Sequence, residues 1–117
     1  MLKLTPHMLA AGYEYLRTTP PFVRWKLPPA DEVQFRVSRK TSRFGEYWVE
    51  GEEHVISVSD LSTGHTATLL TTLAHEMIHL YQHVAKTETK GAVHNAQFRR
   101  LAARICKYHG FDPKAFF

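Results

Sequence analysis

The chain has 117 residues, which is enough for one compact domain over residues 1–117 and too few for two. Its hydrophobic fraction of 44% and charged fraction of 22% are ordinary for a globular protein and exclude a disordered chain. The net charge of +4 would allow contact with nucleic acid but does not by itself indicate any.

The compartment and the partners are constrained by what the sequence lacks. No apolar stretch approaches the roughly 20 residues that cross a bilayer, so we expect no membrane partner. The N-terminal sequence lacks the apolar stretch and the cleavage site of a signal peptide. Cys106 is the single cysteine and cannot form an internal disulfide. These features predict a cytoplasmic protein, and none of them indicates an oligomeric state.

The first predicted element is a helix that starts at Thr5-Pro6, with threonine as the N-cap and proline in the first turn. Its apolar residues follow helical spacing, and the helix is expected to end near Thr18. The predicted buried stripe consists of Met8, Leu9, Tyr13 and Leu16. Two proline pairs follow, Pro20-Pro21 and Pro28-Pro29, and the segment between them is expected to be short or irregular.

Three strands are predicted after the prolines. Apolar and polar residues alternate from Val33 to Val37, which is the pattern of a strand with one solvated face. Residues 45–49 and 54–58 predict two further strands, and Gly51-Glu52-Glu53 supplies a turn between them. Because the connections are short, we predict a small three-stranded antiparallel sheet.

A helical period returns in the last third of the chain. It runs from about Thr66 to Val84, and a second helical segment ends at Gly110 after a polar loop that contains Gly91. The apolar stripe of this second helix consists of Phe98, Leu101, Ala102 and Ile105, and Cys106 lies near it as a small core residue. The predicted fold is therefore α+β, with one helix, a small sheet and then two packed helices.

The long predicted helix contains the sequence His75-Glu76-Met77-Ile78-His79. Four residues turn an α-helix by about 400° and advance it by about 6 Å, so His75 and His79 project from one face. Both imidazoles can then reach one zinc ion (Zn²⁺) at about 2.0–2.1 Å, which makes zinc the expected cofactor. Glu76 lies about 100° around the helix, where its carboxylate can act as general base on a metal-bound water. The alternative is that both histidines are surface residues of an amphipathic helix.

A catalytic zinc needs a third protein ligand, and the chain offers several downstream. His83 lies about 12 Å along the helix from His75, too far to share an ion with it. His109 lies in the last helical turn before Gly110, where a positive charge interacts favourably with the helix C-terminus, and we favour that role over metal binding. Glu88 and Asp112 stay as alternatives. We favour His94, because the turn at Gly91 lets the chain double back on the site; its alternative is an exposed loop histidine.

The sequence also resembles a known family over about residues 44–105. The HExxH sequence at 75–79, followed by His94-Asn95-Ala96-Gln97-Phe98, resembles the SprT-like (SprT/Spartan) metalloproteases. Members pair HExxH with a later H-G-x-x-F whose histidine is the third zinc ligand, so the resemblance implies His94 in that role. They also have a strand similar to residues 55–59 before the catalytic helix, and before that an aromatic segment similar to Tyr47-Trp48. Asn95 stands where the family usually has glycine.

The predicted function is a zinc-dependent endopeptidase that acts on proteins or flexible peptides, with His75, His79 and His94 as ligands and Glu76 as general base. The resemblance implies DNA-associated proteins as substrates and nucleic acid as a partner. One alternative is a zinc-dependent hydrolase of a non-peptide amide. Another is a catalytically silent module that binds zinc or nucleic acid; the retention of Glu76 argues against it, because a structural zinc does not need a base.

Three further expectations concern the surroundings of the site. If the strand His54–Ser59 lies at the sheet edge, its free backbone groups could pair with an extended substrate; the alternative is a central, fully paired strand. Asp60 could accept a hydrogen bond from a ligand imidazole. Candidates for stabilising an oxyanion, each with a core or surface role as the alternative, are Tyr81, His83, Arg99 and Tyr108.

Overall fold

The computed structural model describes residues 3–61, 63 and 65–116. Within these residues the chain is α+β, as predicted. The elements, in chain order, are α1 (Pro6–Arg17), β1 (Val33–Ser38), β2 (Gly45–Glu50), β3 (Glu53–Ser59), α2 (Thr66–Ala85) and α3 (Ala96–His109), with two short 3₁₀ turns between α1 and β1 at Phe22–Arg24 and Ala30–Glu32.

The helix boundaries follow from capping residues that can be recognised in the sequence. The side chain of Thr5 accepts a hydrogen bond from the Met8 N–H at 3.2 Å, and Pro6 occupies the first turn of α1. At the other end of the chain, α3 stops at Gly110, which adopts a left-handed conformation with φ of 74°. Glycine accepts that backbone geometry without the steric penalty of a Cβ atom, so these ends agree with the prediction.

The sheet differs from the purely antiparallel one that we predicted. Its strand order is β1-β3-β2, with β3 parallel to β1 and antiparallel to β2. Residues 39–44 connect β1 to β2, and six residues can span the roughly 10 Å across one intervening strand. The chain therefore passes the central position, turns tightly at Gly51 with φ of 65°, and returns between its neighbours as β3.

The expectation that His54–Ser59 forms an edge strand is also wrong. β3 pairs on both sides, and its residues from Val55 to Ser59 are all buried. An unbroken run of buried residues is typical of a strand covered on both faces. The free edge on the side of α2 belongs to β2, which packs against that helix.

The main core lies between one face of the sheet and the helices. Ile56 and Val58 of β3 face it, and each helix contributes an apolar stripe. The fully buried members from the helices include Leu9, Tyr13 and Leu16 of α1, Leu73, Met77 and Ile78 of α2, and Phe98 and Ile105 of α3. This packing holds α2 against both β2 and α3 and so positions the HExxH residues of α2 beside these two elements. In the described part of the chain, every helix is too short or too polar to cross a membrane.

Candidate metal centre

α2 carries the HExxH residues in its second half. The buried side chains of Leu73, Met77 and Leu80 hold the helix in the core. His75 and His79 lie one turn apart and are half-buried, with their ring centres 5.1 Å apart. Their shared face follows directly from the helical period, because side chains four residues apart lie above one another.

His94, in the loop before α3, completes a cluster with these two residues. Its ring centre lies 4.9 Å from that of His75 and 5.4 Å from that of His79. One ligand nitrogen from each of the three histidines lies within 4.8 Å of the others, so the cluster could hold a metal ion. Three imidazoles and an open position are a donor set that zinc accepts in catalytic sites. The alternative ligands Glu88 and Asp112 are not part of this cluster.

The hydrogen bond of His75 determines which of its nitrogens faces the cluster. Its Nδ1 atom lies 2.9 Å from the backbone oxygen of Phe116. Because a carbonyl can only accept, we assign the proton to Nδ1, which leaves the lone pair of Nε2 for a metal. The sequence contained no signal for this contact, which joins residues 41 positions apart.

Phe98 forms an apolar floor beneath the three histidines. It is fully buried, and its ring centre lies 5.0 Å from His75, 4.7 Å from His79 and 4.4 Å from His94. Burial lowers the pKa of both His75 and His79 to about 4, and it also lowers the pKa of His94. The rings are therefore neutral near pH 7, which is the form that binds metal.

Glu76 is buried beside the cluster with 6% of its surface exposed. Burial and, to a smaller extent, the negative charge of Glu46 raise its pKa to about 8, while the positive charge of Arg43 opposes this rise. The pKa would fall again beside a bound dication, because opposite charge favours the carboxylate. A carboxyl group buried in a cavity with a strongly shifted pKa is typical of a functional site.

Gly45 allows β2 to approach α2 closely at Glu76. A Cβ atom on Gly45 would lie 2.6 Å from Cγ2 of Thr72 and 3.3 Å from Cγ of Glu76. Any side chain here would push the strand from the helix or displace the glutamate. The sequence offered Gly45 only as the start of a strand, and its role in the site depends on the packing of two distant elements.

A cavity of about 650 Å³ opens over the cluster. It lies among β2, α2, the loop before α3 and the last described residues. Five consecutive residues, 44–48, line it. Since successive residues of a strand face opposite sides of the sheet, a cavity that contacts all of them runs along the edge of β2. Its other lining residues are Arg43, Thr71, Thr72, His75, Glu76, His79, Glu88, Val93, His94, Ala115 and Phe116.

The oxyanion candidates from the sequence do not line this cavity. The ring of Tyr81 packs on Trp25 with 4.8 Å between centres, and Tyr108 is 59% exposed. His83 pairs with Glu88, and Arg99 donates to the backbone oxygen of His94. The cavity lining contains Arg43 and Tyr47 instead. The aromatic segment at 47–48 was visible in the sequence, but nothing there indicated that it lay beside the histidines.

Asp60 does not take the role that we expected. One carboxylate oxygen lies 3.7 Å from Nη1 of Arg39, and its residue does not line the cavity. The acceptor observed for a histidine of the cluster is the Phe116 carbonyl. Cys106 is buried and packs in the core, in agreement with its predicted role.

The SprT-like family profile matches residues 13–115, which is nearly the whole chain and includes all four candidate site residues. A search of curated proteins finds no match.

Proposed function

Because the chain belongs to the SprT-like family, we propose that it is a zinc-dependent endopeptidase that cleaves flexible segments of proteins, with Glu76 as the general base. One observation carries the proposal: three histidines that could share an ion and a buried carboxyl group lie in a cavity along the free edge of a strand. The alternatives are a hydrolase of small non-peptide amides and a silent zinc-binding or nucleic-acid-binding module.

The residues of the site divide the chemistry between them. Zinc held by His75, His79 and His94 would supply a Lewis acid and would lower the pKa of a water molecule beside it. Glu76 accepts the proton of that water and returns it to the leaving amine. Phe98 keeps the floor of the site apolar, which strengthens electrostatic interactions above it.

The edge of β2 favours a peptide substrate over a small amide. The Ser59 N–H donates to the Phe44 oxygen at 2.8 Å, which marks this pair as hydrogen-bonded in the antiparallel ladder. Hydrogen-bonded and non-bonded pairs alternate, so the backbone groups of Gly45, Tyr47 and Val49 point away from β3. An extended chain in the cavity could pair with them as an added strand. A small amide would not need such an edge.

The strand edge can be tested with two substitutions at one position. Tyr47→Pro removes the outward N–H without removing a bond to β3, and edge strands tolerate proline at such positions. Tyr47→Phe keeps the N–H and loses only the hydroxyl group, which lies 2.7 Å from Nδ1 of His54. We expect Tyr47→Pro to raise the KM for peptides at least tenfold relative to Tyr47→Phe. Equal KM values for the two variants would exclude pairing at this residue.

Glu76 argues against a silent module. Burying this carboxyl group raises its pKa from 4.5 to about 8, so the folded protein keeps it at the expense of stability. A metal with a purely structural role needs only its ligands. A base that activates water explains why a carboxyl group occupies this position.

The exposed face of α3 favours nucleic acid as a second partner, and so DNA-associated proteins as substrates. α3 contains four exposed basic residues, Arg99, Arg100, Arg104 and Lys107, and no Asp or Glu. This charge equals the net +4 of the chain. Within the described residues, none of the four forms an ion pair. A helix face of one sign attracts phosphate groups along a duplex.

We expect the double variant Arg100→Gln/Arg104→Gln to bind a DNA oligonucleotide more weakly. The logarithm of its binding constant should also fall less steeply with the logarithm of the salt concentration, with a slope smaller in magnitude by about 2. The control is Arg24→Gln/Lys26→Gln, which removes the same charge from two exposed residues elsewhere. Equal losses in both variants would attribute binding to net charge and not to α3.

The main test compares wild type with Glu76→Gln on an alkylated protein that stays unfolded in buffer. Wild type should bind about one zinc ion per chain and cleave the unfolded protein, but not its folded form. Glu76→Gln should keep the zinc and lose about 10²- to 10⁴-fold in rate, since an amide cannot accept the proton. Zinc binding without cleavage by wild type would favour the silent module. Cleavage confined to single-residue anilides would favour the small-amide hydrolase.

A further inference from the structure

The third histidine lies on a loop, and two amide side chains fasten that loop to α2. Gln82 lies on α2 three residues after His79, and only 2% of its surface is exposed. Its Nε2 atom donates to Oδ1 of Asn95 and to Oε1 of Gln97, both at 2.9 Å. Asn95 directly follows His94 in the chain. A side chain on the metal-binding helix is therefore bonded to the residue next to the third histidine.

Asn95 uses all of its hydrogen-bonding capacity in this arrangement. Its Oδ1 atom also accepts from the Phe98 N–H at 2.9 Å. Its Nδ2 atom donates to the Thr87 backbone oxygen at 3.0 Å and to Oγ1 of Thr89 at 2.9 Å. An asparagine has two donor hydrogens and two acceptor lone pairs, and all four are engaged with α2, α3 and the loop between them.

Helix capping explains only part of this network. An N-cap asparagine accepts from a backbone N–H in the first turn, as Asn95 does from Phe98. Capping requires neither the bond to Gln82 nor the two donations to the loop. The backbone at Asn95 has φ of −73°, so it does not need the glycine that is usual at this position in the family pattern.

We propose that Gln82 and Asn95 are positioning residues for the metal site, which together set the distance between His94 and the pair on α2. The proposal rests on the proposed metal-dependent function. A loop histidine must be held within a fraction of an ångström for three rings to share one ion, and loop backbone alone rarely provides that. Residues that orient metal ligands typically contribute 10- to 100-fold in metal affinity.

The test measures zinc affinity of folded protein by competition with a chelator. Asn95→Ser keeps a good helix cap for Phe98 but loses the bonds to Gln82 and the loop. Gln82→Met keeps the length and burial of the side chain but donates nothing. We expect zinc affinity to fall 10- to 100-fold in each variant. We expect the visible spectrum of the cobalt(II)-substituted protein to change as well, since it depends on ligand geometry.

The matched control is Gln97→Met. This variant makes the same chemical change and also removes a bond to Gln82, but residue 97 is not adjacent to His94. The zinc affinity of Gln97→Met should therefore stay within about threefold of wild type, well short of the loss expected for an orienting residue. In the double variant Asn95→Ser/Gln82→Met, the two losses of zinc affinity should be less than additive, because both substitutions break the bond between Gln82 and Asn95.

Two results would overturn the proposal. One is wild-type zinc affinity and an unchanged cobalt spectrum in Asn95→Ser and Gln82→Met. The other is an equal loss in Gln97→Met, which would indicate general loosening of α3. If Gln82→Met does not fold, Asn95→Ser decides alone, because serine preserves the cap. Absence of metal binding in wild type would instead refute the proposed function itself.

Discussion

The two halves of the candidate site are built in different ways. His75, Glu76 and His79 lie within five residues of one helix, whose period places them together before any tertiary contact forms. His94 and the Phe116 carbonyl come from irregular segments, and each reaches the site through hydrogen bonds or packing with other parts of the chain. The spacing of the helical half should therefore survive changes at positions that do not contact α2, whereas the irregular half should depend on side chains far along the chain.

The largest expected effect separates the helical histidines from His94. His75→Ala and His79→Ala should abolish stoichiometric zinc binding, because each leaves only one histidine on the helix. His94→Ala should weaken binding but keep the pair on α2. Metal analysis of the purified variants after dialysis gives the answer. Full zinc content in His94→Ala would show that another residue, such as Glu88, is the third ligand.

Phe116→Ala should weaken the irregular half without changing any of the three candidate ligands. Phe116 is 2% exposed, and burial of its ring keeps its carbonyl beside Nδ1 of His75. Phe116→Ala should lower zinc affinity about 10- to 100-fold, since it loosens the acceptor that orients a ligand. Phe111→Ala is the matched control, because its ring stacks on His109 and does not line the cavity. Similar zinc affinities for the two variants would contradict the orienting role of the carbonyl.

Substitution of Gly45 tests how closely the helical half depends on the neighbouring strand β2. Gly45→Ala should lower kcat about tenfold or more, because small displacements of a catalytic group can reduce rate strongly. Gly12→Ala is a matched control: its added Cβ would lie 2.8 Å from Cδ1 of Leu73, which is also on α2. Kinetic assays and urea unfolding of both variants separate the effects. Loss of stability without loss of kcat in Gly45→Ala would refute the role of close packing at Glu76.

A separate prediction concerns how the stability of the metal-free protein changes with pH. Glu76 has a folded pKa of about 8 against 4.5 for an exposed carboxyl group. Its contribution to folding is therefore full below pH 4.5 and is lost as pH rises towards 8. Relative to Glu76→Gln, wild type should lose about 1.4 kcal/mol of unfolding free energy for each pH unit in that window. Because the two proteins share every other titratable group, their difference isolates Glu76.

Urea unfolding in the presence of a chelator, at pH 5, 6.5 and 8, measures this difference. Parallel stability curves for the two proteins would show that the carboxyl group is hydrated in the folded state.

Local patterns in the sequence were enough for the α+β class and the helix ends. Thr5-Pro6 marked the start of α1, and Gly110 marked the end of α3, because caps depend on the side chains and backbone of a few adjacent residues. The HExxH spacing likewise predicted that His75 and His79 share a face. His94 was chosen from several downstream candidates, and the structure brings it to the other two, although its role as a ligand stays a prediction.

The sheet order and the surroundings of the site depended on tertiary structure. Strand periodicity indicates which residues face the core but not which strand lies beside which, so the parallel pairing of β1 with β3 was missed. Gly45, Phe116 and the bond between Gln82 and Asn95 have no local pattern at all, since each acts through a partner far along the chain or on another element. Residues that act by periodicity can be recognised in the sequence alone, whereas those that act by proximity appear only when the whole chain has packed.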